Sequence, residues 1–142
     1  MRKAMGGWDG RDTSILPGVD SRDPLTGKII GAAITVSKAL GNGLFESVYE
    51  TWLAYELTKQ GFDVSSHPAL PVVYDGLRME LAFRPDLIVQ KAVIVEVKAV
   101  NALLPVHQAQ LLNYLRLSKL RVGLLINFHS VPFSKGIVRM VF

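Results

Sequence analysis

From Leu25 to Leu40 the apolar residues Leu25, Ile29, Ile30, Ala33, Val36, Ala39 and Leu40 recur at the spacing of one helix face. Asp23-Pro24 ahead of them supplies an N-cap and a first-turn proline, and Gly41 a stop. A second helix is expected over about 44–60, with Leu44, Val48, Leu53 and Leu57 on its apolar side and Gly61 at the C′ position. The period then changes. FDVSS, ALPVVYDG and LRMELAF read as strands, and Asp75-Gly76 is a strong two-residue hairpin signal. RPDLIV and VIVEVKAV follow, β-branched and almost wholly apolar, as expected of central strands covered on both faces. Pro105 opens a third helix to about Ser118, and RVGLLINF and GIVRMVF add two strands. The expected order is α-α-β-β-β-β-α-β-β, a mixed α/β (α+β) sheet protein forming one domain over 23–142. Residues 1 to about 22 mix Gly, Asp, Arg, Ser and Pro without a hydrophobic period and read as a poorly ordered leader.

Within the two most apolar strands stand Asp86, Glu96 and Lys98. Each loses solvation on burial and is tolerated there only when paired, hydrogen-bonded or bound to a metal. If Gln90-Lys91-Ala92 form a three-residue turn between antiparallel strands, Val89 faces Val93 and Asp86 faces Glu96, with their Cβ atoms about 5 Å apart on one face. A two-residue turn would send the acids to opposite faces, because one step of register reverses every side chain. The three-residue turn is the reading adopted. Lys98 then projects from the face of Glu96, about 7 Å along the strand. Carboxylates this close repel and raise each other's pKa unless a cation lies between them. A divalent metal meets that need, and an all-oxygen donor set favours Mg²⁺ or Mn²⁺ over zinc. The inert alternative is a buried Asp–Lys–Glu ion cluster.

Two helical groupings carry further polar chemistry. GLFESVYE places Glu46 and Glu50 at i and i+4, with Tyr49 at i+3 from Glu46. Like charges at that spacing are unfavourable unless surface salt bridges or a cation near Glu46 compensate them. VHQAQLLNY sets His107, Gln110 and Tyr114 along one face of the third helix, either as a solvated stripe or as hydrogen-bonding groups for phosphate oxygens.

Charge distribution suggests a partner. The net charge is +4, yet all twelve acids lie at or before Glu96, where they outnumber the bases. Beyond it come only Lys98, Arg116, Lys119, Arg121, Lys135 and Arg139, with His107 and His129. A basic C-terminal third suits a polyanion such as nucleic acid, although a solvated basic surface would look the same. With no cysteine, disulfide frameworks, zinc-finger spacing and thiol nucleophiles are excluded, in keeping with a cytoplasmic location. No apolar run approaches the roughly 18 residues a membrane span needs. Ser47, Ser118 and Ser130 lie in no nucleophile-elbow context, so a hydroxyl-nucleophile hydrolase is disfavoured.

Taken together, GLFESVYE, LPVVYDG, FRPDLIV, VIVEVKAV, LLPVHQAQLLNYLRL and GLLINF resemble the GxxExxY proteins of the PD-(D/E)XK nuclease superfamily over roughly residues 25–142. Gly43, Glu46 and Tyr49 match the naming motif, Pro85-Asp86 with Glu96-Val97-Lys98 the PD…ExK signature, and Gln110 with Tyr114 the QxxxY motif of RecB-like nucleases. The resemblance implies a restriction-endonuclease-like αβββαβ core. Glu46, Asp86, Glu96 and the backbone carbonyl of Val97 are the implied metal ligands, and Lys98 the catalytic lysine beside Asp86 and Glu96. Gln110, Tyr114, His107 and Tyr49 are expected at the substrate. The implied activity is Mg²⁺-dependent (or Mn²⁺-dependent) cleavage of phosphodiester bonds, with DNA the expected substrate. Ser37 departs from the pattern, where His would be expected. A catalytically silent nucleic-acid-binding or protein-interaction module is the alternative. A homodimer or a partner protein fits a domain of this size, with two-fold symmetry the first expectation.

Overall fold

Asp23 begins the described part of the chain, and the residues that the computed structural model describes are 23–142; the leader expected over 1–22 lies outside the described residues. The Asp23 side chain accepts from the Thr26 amide at 3.3 Å, and α1 runs Pro24–Leu40, ending at Gly41 with φ 71°. Asp23 also accepts from Arg139 Nη2 at 3.0 Å, so the helix cap is tied to the last strand. The second helix, α2, spans Glu46–Lys59, and Gly61 follows it with φ 94°. Strands β1 Val64–Ser66, β2 Leu70–Tyr74, β3 Leu77–Phe83, β4 Leu87–Val89 and β5 Val93–Lys98 come next. All five apolar segments between α2 and the third helix are therefore strands, one more than the expected order allowed. Helix α3 spans Pro105–Ser118, and β6 Val122–Asn127, a 3₁₀ turn at Phe133–Gly136 and β7 Ile137–Val141 complete the chain.

The main sheet has the order β1-β4-β5-β6-β7, with only β5–β6 parallel. β5 is the centre, as its continuous apolarity implies, and α3 supplies the crossover that a parallel pair requires. β2 and β3 form a separate hairpin, turned by Asp75 and Gly76 at φ 52° and 77°.

Side chains alternate along β5 between two cores. Val93, Val95 and Val97 join Leu87, Val89, Leu124 and Ile126 under α1 and α2, which contribute Ile29, Ile30, Val36, Tyr49, Leu53 and Leu57. Ile94 faces the other way with Ile88 and Leu125, under Leu111 and Leu115 of α3. At Gly123 an added Cβ would stand 2.7 Å from Leu111 Cδ1, so the missing side chain is what lets α3 settle on β6. No described helix is long and apolar enough to cross a membrane.

Candidate active site

The turn between β4 and β5 decides whether the acids meet. Gln90 and Lys91 both adopt positive φ, the Ala92 amide donates to Val89 O at 3.0 Å, and the pairs Val89–Val93, Ile88–Ile94 and Leu87–Val95 follow. The three-residue turn is therefore the one formed. One step beyond the last strand pair, the Asp86 amide donates to Glu96 Oε1 at 3.0 Å and the Val97 amide donates to Asp86 Oδ2 at 2.8 Å. The carboxylates thus continue the ladder with side-chain atoms. Alternation places Glu96 and Lys98 with Ile94 on the α3 side, while the Val97 side chain lies in the opposite core and its amide is engaged by Asp86.

Two groups join this pair from outside the recognised signature. Glu50, one turn after Glu46 on α2, is buried and forms an ion pair with His67 Nε2. His67 follows β1 at φ 49°, and its amide donates to Asp86 O at 2.8 Å. The β1–β4 register, which sets Ser66 opposite Leu87, therefore brings His67 beside Asp86. One ligand atom from each of Glu50, His67 and Asp86 lies within 4.8 Å of the others, so the three could hold a metal ion. Glu46, an expected ligand, turns its Oε2 to the Ala99 amide at 3.2 Å, just past β5. It remains close enough to Asp86 and Glu50 for its charge to raise both their pKa values.

The electrostatics are those of crowded carboxylates. Burial, and then the charge of Asp86, push Glu96 up to about 8, against weaker lowering by the Asp86 amide and by Lys98. Burial and Asp86 likewise push Glu50 up to about 7, with His67 opposing. Asp86 is raised by burial despite the Val97 amide, Lys98 and His67. Desolvation exceeds the compensation available from one imidazole and one ammonium. A divalent cation would supply the missing positive charge, and the donor set fits one: carboxylates for Mg²⁺ or Mn²⁺, with an imidazole that Mn²⁺ accepts more readily.

The remaining expected residues fall into two groups. On α3, Gln110 Nε2 donates to the Tyr114 hydroxyl at 2.9 Å, and the Tyr114 ring stacks on Phe83 with centroids 4.7 Å apart. Burial raises the Tyr114 pKa first, and then the charges of Glu96 and Asp86, which sets the phenol on the acid side of the sheet. His107 and Tyr49 hydrogen-bond within the scaffold. His107 Nδ1 accepts from the Leu104 amide at 3.0 Å, closing the start of α3. Tyr49 is 0% exposed, stacks on Phe128 at 4.6 Å, donates to Gly41 O at 2.7 Å and accepts from the Leu44 amide at 3.1 Å.

Glu50 escaped sequence reasoning because its spacing from Glu46 also describes an exposed helix pair, and only the i+1 position after buried Tyr49 hinted otherwise. His67 carried no signal, since a His-Pro step in a loop has no metal-ligand spacing.

No curated protein and no solved structure matches the chain. A family model described as the PD-(D/E)XK nuclease superfamily matches residues 23–140, the whole described fold save its last two residues. With a mixed sheet whose central strand carries Glu96-Val97-Lys98 beside Asp86, the chain belongs to the PD-(D/E)XK nuclease superfamily, a family of nuclease-type enzymes.

Proposed function

We propose that this protein is a nuclease that hydrolyses phosphodiester bonds of nucleic acid, DNA foremost, with Mg²⁺ or Mn²⁺ as cofactor. The observation that carries this reading is the pair of hydrogen bonds from the Asp86 amide to Glu96 and from the Val97 amide to Asp86, which sets two desolvated carboxylates and Lys98 at one end of the central strand. A pure binding module gains nothing from acids crowded toward a polyanion.

Glu50, His67 and Asp86 would hold the ion, with Glu96 and Glu46 flanking it and the Val97 carbonyl beside them. Bound there, the ion supplies Lewis-acid polarisation of the phosphate and acidification of water. Lys98 orients the attacking water and stabilises the charge that accumulates on the phosphoryl oxygens. Tyr114, whose oxygen already accepts from Gln110, keeps its own O–H to donate to a phosphate oxygen. Arg116, Lys119 and Arg121, at the end of α3 and the start of β6, lie toward the other end of the sheet, since Val122 pairs with Val93 and Asn127 with Lys98; they would attract only polymer that runs on beyond the acids, in a salt-dependent manner.

The test is incubation of labelled single- and double-stranded DNA and RNA with Mg²⁺ or Mn²⁺, comparing the parent with Lys98→Ala. Divalent-dependent cleavage by the parent and loss of at least a hundredfold in the variant are expected. Cleavage that survives the substitution points to another site, and no cleavage of any polymer favours the binding module.

A further inference from the structure

The loop ahead of α2 is braced from several sides. Besides the hydrogen bonds that the Tyr49 hydroxyl donates to Gly41 O and accepts from Leu44 N, His129 Nε2 lies 2.9 Å from Leu44 O, so that nitrogen carries a proton, and Asn42 Nδ2 donates to His129 O at 3.0 Å. The edge of His129 meets the Tyr49 ring at 5.9 Å. Yet the residue this bracing fixes, Phe45, is 82% exposed and makes no side-chain cap to α2. Leu44, Phe45, Glu46, Ser47, Ala99 and His129 line a cavity of about 610 Å³. Two of its walls, Glu46 and Ala99, are joined by the Ala99 amide donating to Glu46 Oε2 at 3.2 Å, and Ala99 directly follows Lys98, so the cavity opens at the end of β5 that carries Glu96 and Lys98.

We propose that this cavity receives the nucleobase adjoining the scissile phosphate, stacked on Phe45, and that the preferred substrate is therefore an unpaired strand or end. The inference rests on the nuclease reading above. A phosphate held at the acid cluster carries its base into the adjoining space, where an exposed aromatic ring on a braced loop offers sequence-tolerant stacking. Bases inside a duplex have both faces covered by their neighbours and reach such a platform only after unstacking. The imidazole of His129, donating to Leu44 O through Nε2, leaves Nδ1 for a base edge.

The experiment is anisotropy of an end-labelled single strand and of the blunt duplex of the same sequence. It uses Ca²⁺, a hard cation that neutralises the carboxylates with looser geometry, on the parent, Phe45→Ala and Phe45→Trp, with Mg²⁺ and Mn²⁺ cleavage assays alongside. Loss of one stacking partner predicts single-strand binding weakened about 5- to 100-fold in Phe45→Ala, duplex binding changed less than about twofold, and Phe45→Trp within about threefold of the parent. Equal losses on both polymers, or no loss on the single strand, overturn the proposal. A parent that cleaves while Phe45→Ala binds single strands unchanged overturns the stacking alone. A parent that neither binds nor cleaves either polymer overturns the nuclease reading and this inference with it.

Discussion

Asp86 and Glu96 exchange hydrogen bonds through each other's strand: the amide of Asp86 donates to Glu96 Oε1 at 3.0 Å, and Asp86 Oδ2 accepts from the residue after Glu96 at 2.8 Å. Both carboxylates are thereby aimed, Glu96 buried and Asp86 half-buried. The arrangement costs stability whenever the acids ionise without a cation.

Asp86→Asn should separate aim from charge. Asn retains an acceptor for the Val97 amide while removing the charge that raises Glu96 and Glu50. In chelator at pH 8 the variant is expected to melt no lower than the parent, and the rise in melting temperature that Mg²⁺ or Mn²⁺ gives the parent should vanish. A variant that still gains stability from the ion would remove Asp86 from the metal site.

Stability should depend on pH with a definite sign. Glu50 and Glu96 have folded pKa values raised to about 7 and about 8 from the ordinary glutamate value of 4.5, so the folded state binds more protons than the unfolded one between those limits. The metal-free protein is then expected to lose stability as pH rises from about 4.5 to about 8, and the stabilisation by a divalent ion to grow over the same range. Melting curves at intervals of pH, with chelator and with Mn²⁺, read both trends. A flat difference between the two conditions would detach these acids from the ion.

His67 should bias the choice of metal. As the one imidazole within reach of Glu50 and Asp86 among the described residues, it should favour Mn²⁺ over Mg²⁺. His67→Ala is expected to reduce the thermal shift with Mn²⁺ severalfold and that with Mg²⁺ much less. Equal reductions would show that the imidazole acts only through its ion pair with Glu50.

The loop after β5 depends on one buried amide. Asn127, 0% exposed, accepts from Val100 N at 3.0 Å and donates to Val100 O and Ser130 Oγ, each at 2.9 Å. Asn127→Ala leaves those backbone groups unpaired and should cost about 1–3 kcal/mol in denaturant unfolding. It should also disturb Ala99, whose amide meets Glu46, and so weaken the Mn²⁺ thermal shift. An unchanged midpoint would show that water replaces the amide.

Local chemistry made much of this molecule legible from its residues. The Asp23-Pro24 start and glycine stop of α1, the Asp75-Gly76 turn and the Pro105 start of α3 act within a few residues of chain, so the order of residues is sufficient to specify them. The uninterrupted apolarity of VIVEVKAV likewise identified the strand at the centre of the sheet, because only a strand covered on both faces has no polar side to show.

Register and partnership across the chain were settled elsewhere. Spacing left the turn at 90–92 with two solutions, and the left-handed backbone of Gln90 and Lys91 is one half of the answer, the burial of Leu87 and Val89 under α1 and α2 the other. Glu46 and Glu50 looked alike as residues, but packing of Tyr49 into the core turned Glu50 inward to His67 and left Glu46 to cap Ala99. His67 meets Asp86 only because β1 pairs with β4 over a hairpin that itself belongs to another sheet. The sequence by itself determined the elements, the apolar strand and the identity of the acids, since propensity and periodicity are short-range. Which acids stand close enough to share a cation was decided by tertiary structure alone, because the free energy that holds them together comes from burying side chains distant along the chain.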